Sequence, residues 1–131
     1  LNEPGLQMAT LAHPINEEDI ENKNAVKVLI DQNKYAIYFS RFSIPFSREK
    51  YISNPSVQKH IGLYGFSFDF LSRFCQEPQS FLEKCESLEQ LRALDMGAKI
   101  KVISVEKPTH GVDTPEDLEK IEKLLKSGKI I

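Results

Sequence analysis

Two cysteines, Cys75 and Cys85, are all that the 131 residues contain. That is too few for a disulfide framework or a zinc site. No apolar run approaches the ~20 residues of a membrane-spanning helix, and the first residues lack the basic region and apolar stretch of a secretory signal. Neither sign of charge predominates: 17 basic against 19 acidic residues leave a formal charge of -2. Such a balance gives no strong electrostatic attraction to nucleic acid or to an acidic membrane surface. The glycine-rich phosphate loops GxGxxG and GxxxxGK[ST] are missing, as are HExxH, a CxxC pair and the GxSxG elbow. Nothing here would cradle a triphosphate with backbone amides, and serine or cysteine nucleophile chemistry has no local signature. These absences predict a reduced, cytoplasmic protein with neither nucleic acid nor membrane among its partners.

What is present is globular. Apolar residues at 40% and charged residues at 27% separate the chain from disordered compositions, and its length suits one domain. It begins at Leu1 rather than Met, within LNEPGLQMATL, which suggests a start inside a longer protein. Gln7 to Ala12 reads as a strand that His13-Pro14 interrupts. Asn16 is a candidate N-cap for a short helix to Asn22. The runs Ala25 to Ile30 and Tyr35 to Ser40, separated by a polar tetrad, predict a strand pair. Ser43 to Pro55 is a long loop, a common place for function.

His60 to Phe66 predicts a strand whose two glycines mark a bulge or a close backbone approach. Phe66, Phe70, Leu71 and Phe74 predict a helix over 67–75. Leu82, Cys85, Leu88, Leu91 and Leu94 predict one amphipathic helix over 81–96, with Gly97 as its C′ residue. Cys85 then lies on the apolar stripe and Cys75 near a helix end, both core or boundary positions. Lys99 to Glu106 alternates as a half-buried strand does. Thr114 caps a last helix with Pro115 at its first position, and Gly128 ends it. The alternation is α/β, and half a dozen such elements alone would leave sheet edges unpaired.

Several residues offer chemistry, each beside a plainer reading. Asp113 lies between a strand and a helix, where carboxylates commonly line the ligand crevice of open α/β sheets. A carboxylate there suits Mg²⁺, or it merely caps the turn. Arg41 ends a strand before the long loop that holds Arg48 and Lys50. It suits bidentate recognition of a carboxylate or phosphate, or the loop is simply a solvated basic one. His60 and Tyr64, four apart on one strand, share a sheet face and can hydrogen-bond a ligand, or they belong to the core. Glu86 and Gln90 stand at i, i+4 on the long helix. They offer a polar pair to a polyhydroxylated ligand, or an ordinary solvated face.

The segments YFSR with IPF, HIGLYGF, ESLEQLR and GVDTPEDLE, in this order and spacing, resemble 3-deoxy-manno-octulosonate cytidylyltransferases, the CMP-Kdo synthetases. MATLAHPI and NAVKVLID resemble the same family, and the likeness runs over about residues 7 to 125. The resemblance implies that CTP and Kdo (3-deoxy-D-manno-octulosonate) are joined to CMP-Kdo with release of pyrophosphate, for lipopolysaccharide assembly. The anomeric hydroxyl of Kdo attacks the α-phosphorus with Mg²⁺ assistance. Asp113 then matches the metal-binding aspartate, and Arg41, His60, Tyr64, Glu86 and Gln90 match positions around the sugar acid. The family's phosphate-binding loop has no counterpart here. Residues 1–131 therefore read as the C-terminal, sugar-acid-binding and dimerisation half of a Rossmann-like nucleotidyltransferase fold, a mixed sheet with flanking helices. A homodimer is implied, and activity of the chain alone is not expected. The alternatives are a noncatalytic dimerisation and sugar-acid-binding fragment, or a related synthetase for another sugar acid such as sialic acid.

Overall fold

The computed structural model describes residues 5–48 and 54–106. Asp113, its turn and the helix expected after it lie outside the described residues. Nine elements follow in order: β1 (Met8–Pro14), α1 (Glu17–Ile20), β2 (Lys27–Ile30), β3 (Ala36–Ser40), β4 (Val57–Phe66), α2 (Phe68–Gln76), α3 (Phe81–Glu86), α4 (Gln90–Asp95) and β5 (Ile100–Ser104). The strands form one mixed sheet in the order β3-β2-β4-β1-β5, with β5 parallel to β1 and every other pair antiparallel. The expected mixed α/β sheet with flanking helices is thus what the chain forms.

β1 is an interior strand between β4 and β5, and Met8 through His13 are all buried. A strand covered on both faces shows no alternation, which is why MATLAH reads as a plain apolar run. Pro14 does not interrupt it. It closes the strand opposite Gln58, at the end of the ladder, where a missing donor costs little. β2 and β3 form the expected antiparallel pair. Their connection is held by Asp31, whose carboxylate accepts the backbone N–H groups of Asn33 and Tyr35 at 2.8 and 2.9 Å. The sheet curls until this connection meets the far edge. The Val102 amide donates to the Lys34 carbonyl at 2.8 Å, so part of the edge expected to be open is covered from within.

The single helix expected over 81–96 is two. α3 ends at Ser87, which takes a left-handed conformation with φ 56°, and α4 begins three residues later. The apolar positions 82, 85, 88, 91 and 94 step by three, and each such step lags a full helical turn by about 60°. Five of them therefore cannot stay on one face. The break relieves the drift: Leu88 and Leu91 are buried, while Cys85 is exposed rather than on the stripe, as is Cys75. Gly97 follows α4 with φ 83°, as a C′ glycine does.

A buried ion pair closes this elbow. Arg92 Nε and Nη2 donate to the two Glu83 carboxylate oxygens at 2.8 and 2.7 Å. The guanidinium also lies 4.5 Å from the Phe74 ring centroid and donates to the Phe74 carbonyl at 3.2 Å, which ties α2 to both short helices. Hydrogen bonding from Arg92 holds the Glu83 carboxyl below the usual carboxylate range. Arg92→Met would leave that carboxylate buried without its partner. We expect a loss of about 3 kcal/mol or more in urea denaturation at neutral pH, and a smaller loss in the double variant Glu83→Gln/Arg92→Met. Equal losses in the two would show that the ion pair contributes only through packing.

Candidate functional site

The site is built around an irregularity in β4. Thr10 of β1 lies opposite Tyr64, yet its neighbour Leu11 lies opposite Ile61, so Gly62 and Leu63 are extra on the β4 side. The glycine-marked bulge expected from the sequence is present. A Cβ at Gly62 would meet nothing within 4 Å, so no close backbone approach accounts for that glycine. The bulge changes which side chains meet. Along a regular strand His60 and Tyr64 would stand about 13 Å apart. With two residues looped out, they oppose Ala12 and Thr10 and their ring centroids are 5.5 Å apart.

Aromatic rings continue in both directions. Phe39 meets His60 edge-on at 4.9 Å, and Tyr64 leads through Phe66 at 6.1 Å to Phe74 and Phe70 on α2. Phe39 and Phe70 are fully buried, so this row is the inner wall of the core. Thr10, also fully buried, places its hydroxyl within 2.8 Å of His60 Nε2 and donates to the Leu63 carbonyl at 2.8 Å.

Beside the row lies a cavity of about 160 Å³, bounded by Met8, Tyr64, Phe66, Leu71, Phe74, Cys75, Glu89 and Gln90. Its surface is mainly apolar, with the tyrosine, the glutamate and the amide as its polar groups. Gln90 is buried to 3% exposure, and its Nε2 is the one buried side-chain polar atom without a hydrogen-bond partner among the described residues. An unmet amide donor in such a place costs about 1–3 kcal/mol. Burial and the nearby Glu89 charge raise the Tyr64 phenol above its ordinary value, so it is a neutral donor and acceptor at pH 7.

Of the five sugar-acid candidates, Tyr64 and Gln90 therefore border one cavity, and His60 packs beside Tyr64. Arg41 and Glu86 are placed together elsewhere. The Glu86 carboxylate accepts the Arg41 backbone N–H at 3.0 Å and the Tyr38 hydroxyl at 3.3 Å. Arg41 turns its guanidinium onto backbone carbonyls, those of Glu86 at 2.9 Å and of Lys23 and Ser87 at 3.3 Å. It closes the C-terminal end of α3, where unpaired carbonyls favour a cation. Because α3 and α4 are separate, Glu86 and Gln90 do not form the pair on one helix face that their spacing suggested.

Three participants were not singled out from the sequence. Glu89 borders the cavity because the elbow swings it towards Tyr64. Thr10 sat unnoticed in an apolar run. Lys27, at 1% exposure, donates from Nζ to the carbonyls of Asn22 at 2.7 Å and Arg41 at 2.9 Å. Burial pushes its ammonium below the usual lysine value, against the pull of Asp19, Glu21 and Glu86. Only the strand pattern could have flagged it, as a lysine between apolar neighbours in VKVLI. Among the described residues no three His, Cys, Asp or Glu side chains are grouped to hold a metal ion, and Asp113, expected to bind Mg²⁺, lies outside them.

Burial lowers the His60 imidazole from 6.5 to about 4. The unfolded chain takes up this proton as pH falls below about 6.5, while the folded chain resists it until about 4. Stability from this residue is thus complete above pH 6.5 and lost between those values, by up to about 3 kcal/mol. We expect His60→Gln to lose less stability than the parent between neutral pH and pH about 4, measured as urea midpoints. Parallel pH dependence of the two proteins would contradict the assignment.

Comparison with known proteins places this chain in a family. Residues 1–100 match the family model described as Cytidylyltransferase. The 3-deoxy-manno-octulosonate cytidylyltransferase of Bdellovibrio bacteriovorus is 51% identical over 97% of this chain and 53% of its own length. That of Thermodesulfovibrio yellowstonii is 53% identical over 90% of this chain and 48% of its own. The solved structure of CMP:2-keto-3-deoxy-manno-octonic acid synthetase complexed with CTP superimposes with a TM-score of 0.76 at 37% identity. It matches 97% of this chain and 52% of its own chain. The chain spans about half the length of the curated relatives it matches. Among the described residues no helix is long and apolar enough to cross a membrane. The chain belongs to the cytidylyltransferase family.

Proposed function

We propose that this chain supplies the sugar-acid-binding half of an enzyme that joins CTP and Kdo into CMP-Kdo and pyrophosphate, in the cytoplasm, for lipopolysaccharide assembly. The observation that carries the reading is the buried Gln90 amide, without a partner among the described residues, at a cavity shared with Tyr64 and Glu89. A polyhydroxylated acid offers the oxygen acceptors that this amide lacks, while Tyr64 and neutral His60 hydrogen-bond hydroxyls without bringing charge. Glu89 accepts from a hydroxyl. The 51–53% identity to two curated 3-deoxy-manno-octulosonate cytidylyltransferases supports Kdo over other sugar acids.

The reaction forms a bond from the anomeric oxygen of Kdo to the α-phosphorus of CTP and breaks the bridge to the β-phosphate. The hydroxyl gives up its proton to water or to the departing pyrophosphate. Such a displacement asks the protein mainly for positioning and charge stabilisation. This chain's part is to hold the sugar acid. Phosphate contacts belong to the rest of the enzyme, since no glycine-rich phosphate loop occurs here. Asp113 is the candidate ligand for Mg²⁺, which would stabilise charge on the phosphates. The enzyme would act as a homodimer, in keeping with the exposed Phe42, Phe46, Phe68 and Phe81 side chains.

The test is pyrophosphate release from CTP and Kdo with Mg²⁺. The 131-residue chain alone is expected to release none, and the chain joined to the remaining half of a curated relative to turn over. In that joined enzyme Gln90→Leu is expected to lower kcat/KM for Kdo at least tenfold, the scale of one lost hydrogen bond to a ligand. Turnover by the chain alone would overturn the division of labour. Failure of the joined enzyme with Kdo would leave a noncatalytic binding module, or a synthetase for another sugar acid if sialic acid replaced Kdo as substrate.

A further inference from the structure

The β4 bulge leaves two carbonyls, Ile61 and Leu63, turned towards one hydroxyl. Thr10 Oγ1 stands 3.3 Å from the first and 2.8 Å from the second. Its third neighbour is His60 Nε2 at 2.8 Å. A threonine hydroxyl carries a single hydrogen, and carbonyl oxygens can only accept. Directed at Leu63, that hydrogen satisfies the nearer carbonyl. Directed at His60, it would leave Oγ1 facing two carbonyl oxygens with no hydrogen between them, in a residue with no exposure to water. The hydroxyl therefore donates to the backbone, and the contact to His60 requires Nε2 to carry the proton.

We propose that Thr10 is a positioning residue that fixes His60 as the neutral Nε2–H tautomer, so that the Nδ1 lone pair is the acceptor His60 presents to a sugar-acid hydroxyl. Nδ1 has no hydrogen-bond partner among the described residues, whereas Nε2 is fully used by Thr10. Phe39, edge-on at 4.9 Å, and Tyr64 at 5.5 Å confine the ring, so a flip that exchanged the nitrogens would have to displace both. The acceptor role rests on the sugar-acid reading of the site; the tautomer does not.

The experiment is a long-range ¹H–¹⁵N correlation spectrum of the ¹⁵N-labelled 131-residue chain at neutral pH. His60 is identified among the three histidines by the signals lost in His60→Gln. In the parent chain Nε2 is expected to resonate as a protonated nitrogen and Nδ1 as a bare one. Thr10→Ser, which restores the hydroxyl, keeps this pattern, and Thr10→Val loses it for an averaged tautomer mixture. An Nδ1–H pattern or an average in the parent overturns the proposal, as does an unchanged pattern in Thr10→Val. Should Thr10→Val fail to fold, the parent and Thr10→Ser spectra still decide. Addition of Kdo to the joined enzyme of the pyrophosphate assay is then expected to shift Nδ1. A fixed tautomer with Nδ1 unmoved in a joined enzyme that turns over overturns the acceptor role and spares the sugar-acid reading. Loss of turnover strikes that reading instead.

Discussion

Two backbone carbonyls at the β4 bulge, those of Ile61 and Leu63, face one buried hydroxyl, and the rest of the site depends on that contact. A β-sheet tolerates an interruption only if its polar groups find other partners. Here one buried threonine hydroxyl on β1 reaches both bulge carbonyls, and donates to that of Leu63. The two looped-out residues shorten the reach between His60 and Tyr64 from the spacing of i, i+4 along a strand to that of i, i+2. An imidazole, a phenol and a row of phenylalanines then form one wall. Beyond the bulge the ladder is regular, from Leu11 to Pro14 against Ile61 to Gln58.

Opposite the wall, the elbow between α3 and α4 decides which polar side chains reach the cavity. Glu83 and Arg92 lock it through a buried, two-point ion pair, and Arg41 covers the carbonyls that the end of α3 exposes. Arg41 is itself held from behind, because buried Lys27 grips its carbonyl. Glu86 is consumed in this junction by Tyr38 and the Arg41 amide. Glu89 and Gln90, one turn later, are left at the cavity. The arrangement separates the charged residues that hold the scaffold from the polar ones with bonding capacity to spare.

Much of this was legible in advance. The strand pair of β2 and β3, the helix α2 and the bulge in β4 follow from β-branched runs, aromatic spacing and glycine placement. Family resemblance then pointed to Tyr64, Gln90 and His60. The elbow was not legible, since Ser87 carries no mark of a left-handed residue as glycine would, and leucines continue on both sides of it. That one miss misplaced Glu86 beside Gln90 and hid Glu89. Thr10 and Lys27 escaped for a related reason. A polar residue inside an apolar strand gives no sign of its partners until the strand order is known, and both find theirs on elements distant in sequence. Asp113 lies outside the described residues, so its role still rests on its setting in GVDTPEDL.

The Gln90 amide has no partner among the described residues, and the sugar acid is the partner we propose for it. The most direct measurement is a crystal structure of the chain soaked with Kdo. Kdo is expected in the cavity beside Tyr64, with one of its oxygens at hydrogen-bonding distance from Gln90 Nε2, and the Arg41–Glu86 junction unchanged. Kdo bound at Arg41 with that junction opened, and the Gln90 amide still unpartnered, would contradict the proposal.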